Sequence, residues 1–482
     1  MRIRMLSLPS AALLVTACGG SSAPTGPSGP PVVTLVNGAT QPSGTLGSTT
    51  VIQGSNFGTS AAAVSGHVLF SNGTGGRDTA VIATVDWTNV LIVTTVPAGL
   101  PIGKDTLWVQ TSGGTSAPIL FTVVAKVQFS PSTVSWTKTD SLPVGLSGHA
   151  LAAGTLPGTP ATSVVYVVGG ADSTNTPRDS VLYATVSATG SLGAWVKTMT
   201  LPGPVAFAAA VVATPANSPV TGTSYLYVIG GDSTAGGKPV ATVYRGTLSA
   251  TGAVTAWSAT TSLPTPVHSP GAVIFNGSVY VAGGSGSGNA PVANVYRIGI
   301  QSDGTLGAQW QTLASLPFAR SYFGFGIDGT FLYALGGDSG TVAPNDSTLA
   351  GGINDVIYAA IDVHTGSLTA SGWTANGNKL KKAVNKHTAV VAGASILVTA
   401  GLYTGSTTGS TEESYATLNT DGSTSAFNGA TGANTISSAG GGNLFNQAAV
   451  GYLDSAGAFH VLVVGGDDVN TPTKKHKGVY YY

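Results

Sequence analysis

Cysteine is almost missing from this 482-residue chain, which has one, Cys18. That excludes an intramolecular disulfide and any metal centre built on several thiolates. Charge is scarce as well. Asp, Glu, Lys and Arg make up 8% of the residues, about a third of the usual share, and the formal net charge is +0. Glutamate is reduced to Glu412 and Glu413, so acidic work falls mostly to Asp. The densest basic cluster, Lys474, Lys475, His476 and Lys477, is too short a run for a nucleic-acid interface. No Gly-x-Ser-x-Gly, His-Glu-x-x-His or phosphate-binding loop occurs, and no cofactor is expected.

What is present is apolar and glycine-rich. Hydrophobic residues reach 42% and Gly numbers 68. A disordered chain would be poorer in Val, Leu and Tyr. Many short strands joined by small-residue turns fit this mixture, so the fold class is all-β.

The first residues read as an export signal. Arg2 and Arg4 precede an apolar stretch from Met5 to Val15, broken by Ser7, Pro9 and Ser10. The stretch is far shorter than the ~20 residues of a membrane span. Val15-Thr16-Ala17-Cys18 follows and resembles a bacterial lipobox. The resemblance implies that Cys18 is lipidated and heads the mature chain, which makes a membrane a partner through its lipid. A plain signal peptide with an incidental Cys is the other reading. Residues 19–30 carry Gly, Ser and Pro with no apolar pattern, a flexible tether. Gly19 stands where an inner-membrane retention signal usually has Asp, which points to the outer membrane or cell surface.

Between 31 and 125, strand-like runs recur at Val32–Val36, Thr49–Gln53, His67–Phe70, Ala80–Val85, Val90–Val96, Thr106–Thr111 and Ile119–Val124. Their spacing suggests a β-sandwich. Val51-Ile-Gln-Gly-Ser-Asn-Phe-Gly58, the strand end at Val96-Pro97, Trp108-Val-Gln-Thr-Ser-Gly-Gly114 and Phe121-Thr-Val-Val124 resemble the IPT/TIG family in that order. This implies an immunoglobulin-like sandwich serving as spacer, adhesive module or dimerisation unit.

From 126 to 482 the chain repeats. An apolar strand ends in a doublet at Gly169-Gly170, Gly230-Gly231, Gly283-Gly284, Gly336-Gly337, Ala400-Gly401 and Gly465-Gly466. Each doublet is followed by a strand bearing Tyr183, Tyr244, Tyr296, Tyr358, Tyr415 or Tyr480, and the first five of these by Trp195, Trp257, Trp310, Trp373 or Phe427. Doublet, Tyr and Trp at this spacing resemble kelch repeats, each of which builds one four-stranded blade of a β-propeller. The doublets suit strand ends where φ turns positive, and the large rings suit the seams between blades. Trp136 lacks a doublet before it, while Tyr480 lacks an aromatic strand after it. The strand at Trp136 is therefore expected to complete the last blade, closing a ring of six and removing an exposed edge. The full expectation is an immunoglobulin-like β-sandwich followed by a six-bladed kelch-type β-propeller.

Each doublet leads into a long loop, and the start of the innermost strand lies on the same face. Insertions on one face of a repeat ring often make the binding face. That face carries Asp172, Asp232, Asp338, Asp467 and Asp468, together with Arg320 and Tyr322 before the fourth inner strand. The carboxylates suit sugar hydroxyls or a cation. They equally suit turn capping by backbone N–H groups. His149, His268 and His387 stand 119 residues apart, near the starts of three inner strands. A three-His metal site and buried structural imidazoles are the two readings of them.

These features favour a binding protein of the cell envelope, recognising a glycan or a protein partner, over an enzyme. An extracytoplasmic carbohydrate-active enzyme and an envelope scaffold are the alternatives. The galactose-oxidase-like copper enzymes that kelch rings resemble need a Cys joined to a Tyr, and no Cys besides Cys18 is available. Fold by itself does not settle function, and the oligomeric state is left open.

Overall fold

In the computed structural model, the described residues are 27–482 except 38–41, 73–74, 80–81, 127–128, 130–133, 157–161, 216–221, 236, 341–351, 404–412, 431–435, 437–443, 455–457, 469–470 and 472–473. Cys18, Glu412 and most of the expected tether lie outside them. The described chain is all-β apart from two 3-10 turns at Ala62–Val64 and Ser287–Asn289.

Two sheets form the N-terminal part. One runs Val32–Val36, Thr49–Ser55, Leu91–Thr95 and Ile82–Trp87 in spatial order. The other runs Ser43–Thr45, Ile119–Val124, Gly103–Thr111, His67–Ser71 and Arg77–Thr79. Ser43–Thr45 lies parallel to Thr122–Val124, a short strand the apolar pattern did not reveal. Val36, Ile52 and Ile92 from the first sheet meet Val68, Phe70, Leu107 and Phe121 from the second in one core. Trp87 closes that core and donates its Nε1–H to the Phe57 carbonyl at 2.9 Å. The first sheet is buried on its other face too, where Val51, Leu91 and Val93 pack against Phe275 and Ile327 of the later chain. Burial on both faces explains why Leu91-Ile92-Val93 is unbroken by polar residues.

The rest is a propeller-like ring of six four-stranded antiparallel sheets, numbered here as blades 1 to 6. Blade 1 is Ala150–Leu156, Thr162–Val168, Val181–Thr185 and Val196–Lys197 from the centre outward. Blades 2 to 6 start from Ala209–Ala213, Gly271–Phe275, Gly324–Asp328, Thr388–Ala392 and Ala448–Leu453. Each inner strand touches the next, and Ala448–Leu453 touches Ala150–Leu156, so the ring closes. The outer strand of blade 6 is Thr137–Lys138, with Thr137 opposite Tyr481 and Lys138 opposite Tyr480. The start of the ring is thus stitched to its end.

The repeated residues hold the seams. Second strands such as Tyr225–Ile229 and Ser278–Ala282 are buried at every position, which is why they read as continuous apolar runs. Tyr166, Tyr227 and Tyr280 donate their hydroxyls to the carbonyls of Gly252, Gly304 and Gly366 in the following blade at 2.8, 2.6 and 2.8 Å. Trp195, Trp257, Trp310 and Trp373 donate Nε1–H to the carbonyls of Asp140, Met199, Thr261 and Ala314 in the preceding blade. The doublets turn through φ of +60 and +93 at Gly169 and Gly170, and the degenerate one forces Ala400 to +49. A side chain resists that region, which accounts for glycine in the other five blades.

Candidate functional site

The centre of the loop face is built from the residue that enters each inner strand. These six are Gly148, Phe207, Ser269, Tyr322, Lys386 and Asn446, with φ of +55, +54, +50, +51, +51 and +52. At five of the six positions, all but Tyr322, the left-handed turn aims the N–H at a carbonyl of the preceding blade. Gly148 donates to the Asn446 carbonyl at 2.9 Å, Phe207 to Gly148 at 2.6 Å and Ser269 to Phe207 at 2.7 Å. Lys386 donates to Tyr322 and Asn446 to Lys386, both at 3.0 Å. A circlet hydrogen-bonded at five of its six junctions therefore rims the axial channel, where a cavity of about 210 Å³ begins. Left-handed Phe, Tyr and Lys each cost roughly 1–2 kcal/mol, so the surrounding blades must impose this conformation.

Just outside the circlet, in four of the six blades, the residue after the doublet meets the residue preceding the circlet in the next blade. Ala171 packs on Ala206 and Leu402 on Phe445. Asp338 accepts a hydrogen bond from Asn385 Nδ2. Asp232 Oδ2 lies 3.9 Å from His268 Nδ1. Asp232 is buried and neither carboxylate oxygen has a hydrogen-bond partner. Burial pushes its carboxyl up to about 7 and lowers His268 to about 4. The pair is consequently not a conventional ion pair, because burial favours the neutral form of both groups.

Aromatic rings complete the cluster. Phe207 and Tyr322 meet edge to face at 6.1 Å, and His268 lies 5.7 Å from Tyr322. Lys386 is buried, with Nζ 5.2 Å from the Tyr322 ring centre. Burial drives the Tyr322 hydroxyl well above its ordinary value, helped by the charges of Asp232 and Asp338. The arrangement can hold a proton on Asp232 near neutral pH beside a neutral imidazole.

The chain matches no known family model and no curated protein. Among solved structures it is similar to YjhT, at 13% sequence identity over 70% of this chain and 95% of that chain, with a TM-score of 0.49.

Of the residues singled out in the sequence, Asp232, Asp338 and Tyr322 converge on this centre. Asp467 lies in the same layer, where it takes hydrogen bonds from Asn446 at 2.9 Å and from Lys475. Asp172 sits one position later than Asp232 relative to the doublet and caps a turn. It accepts from Thr174 N at 2.9 Å and Thr176 N at 3.1 Å and pairs with Arg178. Partial burial opposes its charge, but these contacts outweigh it and hold the carboxyl below its ordinary range. Asp468 meets His476 Nε2 at 3.3 Å away from the centre. Arg320 is fully buried, and its guanidinium grips both Asp355 oxygens at 2.8 and 3.0 Å and the Gly336 carbonyl at 3.0 Å.

The three histidines do not form one layer. His149 and His387 directly follow circlet residues, whereas His268 precedes one. His387 Nε2 accepts the Gly324 N–H of blade 4 at 3.1 Å. His149 fits beneath Gly465 of blade 6, where an added Cβ would stand 2.7 Å from its ring. Both are seam imidazoles kept neutral by burial, at about 4. Among the described residues no group of three His, Cys, Asp or Glu is arranged to hold a metal ion. Phe207 and Lys386 escaped sequence reasoning because their shared feature is a backbone angle, and the six residues that adopt it are all different.

Proposed function

We propose that this chain is an exported, lipid-anchored binding protein of the cell envelope. In this reading Cys18 carries the lipid, an IPT/TIG-type immunoglobulin-like domain follows a short tether, and a six-bladed kelch-type propeller recognises a glycan or protein partner through its loops. The observation that carries it is the contrast between a repeated base and variable loops. Every blade supplies one left-handed residue to the circlet, while the segments after the doublets differ, as in Asp232–Pro239 and Ser285–Pro291. A rigid ring displaying unlike loops is how recognition surfaces are commonly built. The opposite face supports this choice, because Val51 and Leu91 of the N-terminal domain already pack on it.

The test is a binding screen of the full chain carrying Cys18→Ser against envelope polysaccharides, glycans and envelope proteins. It is run beside two variants in which residues 233–238 or 285–291 are replaced by Gly-Ser linkers. Binding lost in either loop variant supports the reading. Binding kept in both, or absent throughout, refutes it. The anchor is checked separately, because Cys18→Ser should move the protein from the membrane fraction to the soluble one.

A further inference from the structure

Where the N-terminal domain meets the ring, two adjoining cavities of about 330 and 320 Å³ remain open. Both lie in the size range of small-ligand clefts, which form preferentially between domains. Thr45, Ser48 and Thr49 of the N-terminal domain and Asp328 and Gly329 of the blade 4 hairpin line both. The first cavity also continues into the axial channel, since Ile274, Ile327, Val391 and Phe459 border it and the channel space of about 420 Å³.

The lining has a definite chemistry. Hydroxyls dominate its polar part: Ser43, Ser48 and Thr49 on one wall, Thr330 and Thr420 on the other. Phe275 and Phe459 give the first cavity an apolar wall, and Phe331 gives one to the second. Among the described lining residues only Asp328 and Lys126 bring charge. The inner strands add to this, because each is paired on one side only and presents its other backbone edge toward the channel.

We propose that this cleft is a binding site for a neutral saccharide, held between the N-terminal domain and the hairpins of the ring. A polyanion would find one lysine and a carboxylate. A lipid chain would leave a dense set of hydroxyls without partners, which is costly. A sugar ring answers both halves of the lining, with hydroxyls for the Ser and Thr walls and C–H faces for the phenyl rings. The site is separate from the loop face and goes beyond the reading above.

The test titrates cellobiose, maltose and chitobiose into the full chain carrying Cys18→Ser, by saturation-transfer NMR and calorimetry. At least one should bind saturably, with Kd of about 1 mM or tighter. Gly329→Asn places an amide where a Cβ meets no atom within 4 Å, and Asn tolerates the φ of +56 found there. Ser48→Gln narrows the cleft from the other wall. Each should weaken binding about tenfold or more, with circular dichroism and the melting temperature unchanged. Saturable binding by none of the three sugars overturns the proposal, as does binding that both folded variants keep within about twofold. The loop variants separate the two sites. Sugar binding lost only in them refutes the cleft and supports the loops, and the reverse pattern refutes a glycan role for the loops.

Discussion

Asp232 offers a sharp quantitative test of the loop-face centre. Its carboxyl is buried without a hydrogen bond, and burial raises it from 3.8 to about 7. A group raised in the folded state contributes stability that is present below its unfolded value and lost as pH rises through its folded value. The shift is about three units, or roughly 4 kcal/mol at 1.36 kcal/mol per unit. Most of it, about 3 kcal/mol, is lost between pH 5 and pH 8. His149, His268 and His387, lowered from 6.5 to about 4, act in the opposite direction. Their stability is present above 6.5 and lost as pH falls toward 4, so the total curve of the protein mixes both effects. The difference between the protein and Asp232→Asn removes the shared part from His149 and His387. Asp232→Asn should therefore gain about 3 kcal/mol relative to the parent on going from pH 5 to pH 8, whatever its offset at pH 5. Urea unfolding at pH 5, 6.5 and 8, followed by tryptophan fluorescence with equal m values, reads this directly. A difference flat to within about 0.5 kcal/mol, or of opposite sign, would refute the reasoning.

Three further changes probe the ring and its partner domain. Glu413 accepts from Trp136 Nε1, Tyr415 Oη and Ile436 N at 3.0, 2.7 and 2.8 Å. Glu413→Ala strands three buried donors beside the closing strand and should cost about 3–5 kcal/mol in urea unfolding, with Glu413→Gln costing less. Ala400 holds φ of +49 in the degenerate doublet. Ala400→Gly should relieve about 1–2 kcal/mol of left-handed strain against about 0.5–1 kcal/mol of added chain entropy, a net gain of up to about 1.5 kcal/mol in melting experiments. Leu91→Asp places a charge where Leu91 packs against the ring. It should loosen the domain junction, seen as a larger radius of gyration in solution scattering.

Which features were legible in the sequence follows from what each demands of a side chain. The doublets were visible because positive φ at two successive positions selects glycine, and Ala400 shows the cost of departing from it. Closure was visible because an unpaired Trp strand and an unfinished last blade are complementary counts, and Thr137–Lys138 does pair with Val479–Tyr481. The loop-face centre was only half visible. Asp232 and Asp338 follow their doublets directly and face the next blade, but Asp172 follows one residue later and turns to cap its own loop. One position of register changes the surface on which a side chain lands. Arg320 was placed among the loop-face candidates because its partner, Asp355, is 35 residues away in the chain. The cleft at the domain junction had no sequence signal at all. Ser48 and Asp328 belong to separate units whose local patterns are each complete, and the space between them exists only once Val51 and Leu91 have found Phe275 and Ile327. Even that docking left one trace. A strand with one solvent face alternates, and Leu91-Ile92-Val93 does not, which fits the burial of its outer face against the ring.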